Sequence, residues 1–355
     1  MHKILYVIRP VAGGMREHLA LLVKHLDRDA FETQAVIPDD ALLGERLRKS
    51  GCEKVWVCGD VGSIRPLSVF RSARMVRRLA KRIGVGLVHT HGYRTALGAG
   101  LGARLAGVPH VVTIHTELGS QKDPGVFGRF AQSVVSVLSD RVIVVTEAIM
   151  GSFAERKVRL VENGVELGSF NPARSNEPRN VGFIGRLAPE KGADLFLEAA
   201  ALLSKRVAGV HFVIVGEGSL REELGRKAEG LGIANVTEFT GFIDGARRVM
   251  ESLDVLVLPS RSEAQPMVLL EALADGLPVV ATDVGGVRRL LDGCGVIVPP
   301  GDVEAIASEV ERLLSSAGEA GLMAMKGRKR IEERYSAEMM VQNTSAIYRE
   351  VLGGV

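Results

Sequence analysis

The residues best suited to chemistry in this chain are cations and carboxylates placed just beyond hydrophobic runs. GRLAPEKG, residues 185–192, follows the apolar run NVGFI and carries Arg186 and Lys191 near the start of the next helical segment. A guanidinium offers a planar fork of donors and an ammonium a point charge, so the two together suit a diphosphate. Further on, SEAQPMVLLEA, residues 262–272, places Glu263 and Glu271 either side of Pro266 and an apolar tract. Proline suits the first turn of a helix, so a helix is expected to start there and run to Gly276. Glu263 then lies in the loop before that helix, and Glu271 about one and a half turns inside it. One carboxylate can meet the sugar end of an extended ligand and the other a hydroxyl-bearing part farther back. The free amides of Met267 and Val268 at the positive helix end would attract phosphate between them.

Near the amino terminus, Gly13 and Gly14 separate the first apolar run from a helical pattern. Glycines there let backbone amides approach an anion, although a tight strand-to-helix turn explains the pair equally well. The pattern is not G-x-G-x-x-G, so the dinucleotide fingerprint is missing. His89 and His91 fall on one face of a strand but have no third ligand within reach by sequence, so no metal site is expected from them. His91 is a candidate contact for an acceptor.

Side chains of this kind need a frame. KILYVI, TQAVIP, KVWV, GLVHTH, HVVTIH and RVIVV alternate with helical patterns over the first half of the chain. NVGFIGR, HFVIVGEG, VTEFTGF, DVLVLPS, PVVATD and GVIVPP do the same over the second. Nearly continuous apolar strands alternating with helices imply parallel sheets covered on both faces, an α/β class, and in such sheets ligands bind beyond the carboxyl ends of the strands. Between the halves lies ELGSFNPARSNEPRN, residues 166–180, with a linker's composition. The expected domains are 1–165 and 166–335. A last helix over 336–355 packs on either domain as far as periodicity can tell.

The chain's 355 residues, 46% of them hydrophobic, are enough for two cored domains. A formal net charge of +3 excludes a chain-wide nucleic-acid-binding field. Three cysteines without C-x-x-C spacing argue against a disulfide framework or a thiolate zinc site and fit a reducing, cytoplasmic setting. Neither a cleavage-site pattern nor an apolar run of membrane-spanning length is present, so the expectation is a soluble protein, at most peripheral at the inner membrane face. That peripheral reading rests on FRSARMVRRLAKRI, residues 70–83, which holds Arg71, Arg74, Arg77, Arg78, Lys81 and Arg82 and no acid. Phe70, Ala73, Val76, Leu79 and Ile83 form the opposite face. The segment reads either as an outer helix with a solvated face or as a surface for an anionic membrane carrying a lipid-linked acceptor.

Taken together, Gly13-Gly14, NGV at 163–165, GRLAPEKG, GEG at 216–218 and SEAQPMVLLEALADGLPVVATDVGG resemble the retaining glycosyltransferases of family 4, group 1, over nearly the whole chain and in order. The resemblance implies the GT-B fold, two Rossmann-like doubly wound domains facing across a cleft. It implies that Gly185, Arg186 and Lys191 hold a nucleotide diphosphate, that Glu271 bonds the ribose, and that Glu263 and the amides after it bond the donor sugar. Gly13 and Gly14 would close on the diphosphate, His115 would sit against the sugar, and backbone at Gly241, Phe242 and Ile243 would hold the base. Departures concern Ala264-Gln265-Pro266, where the family often has x-Phe-Gly, Arg289 in place of a glutamate, and Thr116 in place of a glycine. They leave the donor sugar open.

The reaction implied is transfer of a hexosyl group from a nucleotide sugar, UDP-sugar before GDP-sugar, to a sugar or lipid-linked hydroxyl, as in polysaccharide or glycolipid synthesis. No carboxylate matches a nucleophile, so front-face attack is expected, with Glu263, His115, Lys191 and Arg186 as the catalytic set. No cofactor is expected, and no metal, since no Asp-x-Asp follows a strand. A nucleotide-sugar epimerase and a non-enzymatic nucleotide-sugar-binding regulator are the competing readings. The sequence assigns no oligomeric state.

Overall fold

The structure is a computed structural model that describes residues 1–9, 13–115, 125–170, 179–245 and 247–353, with backbone only at 125–127. Residues 171–178 of the linker segment lie outside the described residues. The chain divides into two compact units, Met1–Gly164 with Ala337–Val355, and Val165–Ser336.

The first unit runs β1 (His2–Ile8), α1 (Gly14–His25), β2 (Phe31–Ile37), α2 (Ala41–Lys49), β3 (Lys54–Val57) and α3 (Pro66–Ile83). It continues with β4 (Leu87–His91), α4 (Tyr93–Ala106), β5 (His110–Ile114), α5 (Gly125–Leu138), β6 (Arg141–Val144) and β7 (Val158–Leu160). The described strands form one parallel sheet in the order β3-β2-β1-β4-β5-β6-β7. Helices cover both faces, so Ile4 to Ile8 and Leu87 to His91 are all buried. One side of the core packs Leu5, Val7, Val36 and Val88 against Val76, Ala99 and Ala103.

The second unit runs β8 (Arg179–Ile184), α6 (Ala193–Arg206), β9 (Val210–Val215), α7 (Arg221–Gly230), β10 (Thr237–Gly241) and α8 (Arg247–Met250). Then come β11 (Val255–Leu258), α9 (Met267–Ala274), β12 (Val279–Thr282), α10 (Val287–Leu291), β13 (Val296–Val298), α11 (Val303–Ser315) and α12 (Ala317–Arg334). Its sheet is also parallel, in the order β10-β9-β8-β11-β12-β13. Phe183, Phe196 and Phe212 pack through its core, the first pair tilted and the second edge-on.

Both orders contain the doubly wound 3-2-1-4-5-6 arrangement, to which the first unit adds β7 at one edge, and each reverses direction beside the first strand and opens a crevice there. In the first unit the switch lies between β1 and β4, and in the second between β8 and β11.

The final helix, α13 (Ala337–Val351), belongs to the first unit and packs on α1. Its Tyr348 hydroxyl meets His89 Nδ1 at 2.5 Å and donates to the Tyr6 hydroxyl at 3.3 Å. Glu350 accepts from Arg141 and Arg159 at 2.6 and 2.9 Å.

Candidate functional site

In the second unit, five loops at the carboxyl edge of the sheet gather the residues singled out by sequence. Amide donation from Gly185 to Val215 and from Gly216 to Gly241 ties the ends of β8, β9 and β10 together. Leu187 donates to the carbonyl of Glu217, joining the GRLAPEKG loop to GEG. Arg261 then braces this loop from the β11 side. Its guanidinium holds Asp194 with two bonds of 2.8 and 2.6 Å and also donates to the Pro189 carbonyl, while its amide donates to Glu190. That bidentate pair keeps the Asp194 carboxyl below its ordinary range. Gly192, at φ 70°, allows a close approach: a methyl there would lie 2.0 Å from the Pro259 carbonyl oxygen.

Within this frame Lys191 donates to Glu263 Oε1 at 2.6 Å, and the buried Ser260 hydroxyl donates to the same oxygen at 2.8 Å. The Glu263 side chain is 6% exposed and that of Lys191 23%. Ser260 is held in turn, because Thr282 Oγ1 donates to its carbonyl at 2.5 Å. The backbone of Glu263 rests on Gly285, and Gly286 donates its amide to Ala264. The sequence singled out Lys191 and Glu263 separately; the structure brings them together as a partly buried, hydrogen-bonded pair.

Pro266 occupies the capping position before α9 rather than its first turn, a correction of one residue. Its φ of −73° and ψ of 119° are extended, as the end of a loop requires. No side chain caps α9. Its first amides, Met267 and Val268, therefore have no partner from the helix itself. Met267 is buried and Val268 half-buried, and Glu271 is half-buried inside the helix.

Arg186 is placed differently from Lys191. It is exposed and pairs with Glu190 at 2.6 Å, four residues along the loop. Gly185 and Ile243 are half-buried, Gly241 has φ 73°, and Phe242 is 50% exposed.

In the first unit, the carboxyl edge near the switch point gathers histidines. His18 comes from α1, His91 ends β4, and His115 follows β5. His91 pairs in register with Thr113, which brings His115 beside it. His91 Nδ1 lies 3.1 Å from His115 Nε2, and the His18 ring packs edge-on to that of His115 at 4.6 Å. His18 Nδ1 bonds the side-chain oxygen of Asn163 at 2.9 Å. Burial pushes His18 down to about 4, and burial together with the neighbouring rings holds His91 and His115 well below the ordinary histidine range. All three are neutral at pH 7.

His91 is fully buried, so it offers no exposed surface to the acceptor that sequence reasoning assigned it. His18 was missed altogether. Its signal was only a histidine four residues after Gly14, and no strand pairing predicts that α1 meets β5. Gly13 caps α1 at φ 74°, ψ −140° and adds no side-chain bond, and Gly14 is half-buried. Thr116 lies outside the described residues.

Two sheets of this order, each with its residues at the carboxyl edge, define a GT-B protein with two Rossmann-like domains. The fold is matched by a glycosyltransferase from Rickettsia africae, with TM-score 0.84 and 19% identity over 100% of this chain and 99% of that one. It is matched also by Anabaena HepE in complex with UDP-glucose, with TM-score 0.82 and 19% identity over 99% and 100%. Residues 12–169 match the family described as Glycosyltransferase Family 4, and residues 178–316 that described as Glycosyl transferases group 1. Among curated proteins, a 2-deoxystreptamine N-acetyl-D-glucosaminyltransferase of Streptomyces fradiae is 31% identical over 99% of this chain and 90% of its own. An uncharacterized glycosyltransferase of Methanocaldococcus jannaschii is 26% identical over 96% and 95%. The chain belongs to the group 1, family 4 glycosyltransferases and is a hexosyltransferase of that type.

Proposed function

We propose that this chain moves a hexosyl group, with retention, from a nucleotide-diphosphate sugar to a hydroxyl acceptor by front-face attack. The reading is carried by one observation: the Lys191–Glu263 pair held by Ser260 beside the uncapped start of α9. An ammonium and free helix amides at one strand-edge crevice suit a departing diphosphate, whose negative charge grows as the glycosyl bond breaks. Glu263, released from Lys191 when a diphosphate takes the cation, would turn to donor-sugar hydroxyls. The leaving phosphate would take the acceptor's proton.

Arg186 would exchange Glu190 for the diphosphate, Glu271 would bind ribose, and the backbone at Gly241–Ile243 would hold the base. His115 would lie against the sugar and Gly13-Gly14 against the diphosphate. UDP is the proposed nucleotide, supported by the UDP-glucose bound to Anabaena HepE. The chemical step uses no divalent metal, since Lys191, Arg186 and the helix end supply the positive charge. A lipid-linked acceptor would be met through α3, at the cytoplasmic face of an anionic membrane, as in cell-surface polysaccharide or glycolipid synthesis.

Replacing Lys191 by Ala is expected to lower kcat roughly 10²- to 10³-fold, the usual cost of one preorganised donor. Lys191→Arg, which keeps the charge, should lose less. A melting midpoint for each variant separates this from unfolding. Wild-type turnover in Lys191→Ala would end the assignment. Transfer should be undiminished in excess chelator, and its abolition would overturn the metal-free step.

A further inference from the structure

The histidine cluster of the first unit has a chemistry that glycosyl transfer does not use. One ring nitrogen from each of His18, His91 and His115 lies within 4.8 Å of the others. Nε2 of His91 is buried and has no hydrogen-bond partner among the described residues, a costly state for a polar atom in an interior. His18 already has the second-sphere contact typical of a ligating imidazole: a 2.9 Å bond to Asn163 Oδ1 fixes Nδ1 as the protonated nitrogen and leaves Nε2 with its lone pair. Being neutral, the three rings need lose no proton to ligate.

We propose that His18, His91 and His115 bind one divalent cation of the Zn2+ class, and that the bound ion withdraws His115 from the donor sugar and inhibits transfer. The inhibitory half rests on the functional reading above; the binding half does not.

Three imidazoles suit zinc, cobalt or nickel and leave a fourth position for water. Tetrahedral bonds of about 2.0–2.1 Å set nitrogens roughly 3.3 Å apart, so the rings must close by no more than about 1.5 Å, within reach of small side-chain rotations. His115 is the half-buried member and marks the side from which an ion enters, while His18 and His91 are 2% and 0% exposed. Magnesium and calcium prefer oxygen ligands and are not expected to bind. Closing the site costs the 3.1 Å contact between His91 and His115. An ion that takes His115 leaves it unable to lie against a sugar.

The full chain, freed of any histidine tag, is titrated with Co2+ while the visible bands of four-coordinate cobalt are followed. One equivalent should bind and be displaced by Zn2+, and Mg2+ should displace none. His18→Gln should weaken Co2+ binding by at least about 100-fold. Asn163→Ala, which touches no metal, should weaken it about 10- to 100-fold. Melting midpoints of the metal-free variants establish that each is folded. Under assay, Zn2+ at about 100 times its Kd should lower kcat/KM for the donor by at least about tenfold, and this fall should be lost in His18→Gln. No stoichiometric cobalt site in the wild-type chain, or equal affinity in a folded His18→Gln, overturns the site. Binding without any change in kcat/KM overturns the inhibition. A chain that binds cobalt but transfers no sugar contradicts the functional reading instead.

Discussion

A methyl group at position 285 would stand 1.6 Å from the carbonyl oxygen of Glu263, and Gly285 holds φ at 52°, where a side chain is strained. The backbone of Glu263, the glutamate proposed to meet the donor sugar, is therefore positioned by Gly285. Gly285→Ala is expected to push the 262–266 loop away and break the Lys191–Glu263 contact. A displacement worth only 1.4 kcal/mol in the transition state is tenfold in rate, so kcat/KM should fall by at least about tenfold while circular dichroism stays unchanged. Unaltered kinetics would show that the loop does not depend on this contact. At this scale the sequence made Glu263, Lys191 and the glycines legible, because each stands just after an apolar strand. It did not make their pairing legible. Lys191 and Glu263 are 72 residues apart and meet only because β8 and β11 are neighbours. The exposed pairing of Arg186 with Glu190 was equally hidden, since a cation at a strand end looks the same whichever way it turns.

Elements were read more easily than contacts. Parallel strands covered on both faces appear as plain apolar runs, as in β9, β11 and β12 of the second unit, whereas its edge strand β10 reads TEFTG. The run fails at β7, three residues with Arg159 in the middle, where an edge position leaves no apolar signature. In α3 the sequence put Phe70 on the buried face, yet it is 61% exposed. The buried stripe runs through Ser72, Ala73, Val76, Leu79 and Ala80, turned away from Phe70. Gly98 and Gly102 of α4 set that angle by admitting Ser72 and Ala73 closely. Leu67, 60% exposed, joins Phe70 on the surface beside exposed Arg71, Arg74 and Arg78. Insertable apolar side chains next to cations are what an anionic bilayer binds. Vesicles rich in phosphatidylserine should sediment the protein, and purely zwitterionic ones should not. Each cation near such a surface contributes about 1 kcal/mol, so neutralising Arg71, Arg74 and Arg78 to Gln should weaken binding about 100-fold. Binding unchanged by that triple substitution would leave α3 as an ordinary solvated helix.

Over the whole chain, titratable burial is unevenly shared: of eight histidines, seven belong to the first unit and only His211, which is exposed, to the second. The division into two units followed from the restart of strand and helix alternation, but the return of α13 did not, because Tyr348 and Glu350 find their partners only in the folded sheet. His110 shows what this arrangement implies for acid stability. It is 1% exposed, with Nε2 at 2.9 Å from Thr90 Oγ1 and Nδ1 at 3.1 Å from the Leu138 carbonyl. Burial pushes it down to about 4, opposed by that carbonyl and by the Asp140 carboxylate. An unfolded histidine titrates near 6.5, so below that pH the unfolded chain binds a proton the native one does not, and stability falls with falling pH until about 4. At 1.36 kcal/mol per pH unit the loss from this residue is roughly 3 kcal/mol, all of it within the first unit. Acid titration followed by the exchange of backbone amides should therefore open the first unit at a higher pH than the second. His110→Gln should flatten the pH dependence between about 6.5 and 4 even where it lowers the melting midpoint at pH 8. Simultaneous opening of both units, or an unchanged slope in the variant, would assign acid sensitivity to the carboxylates instead.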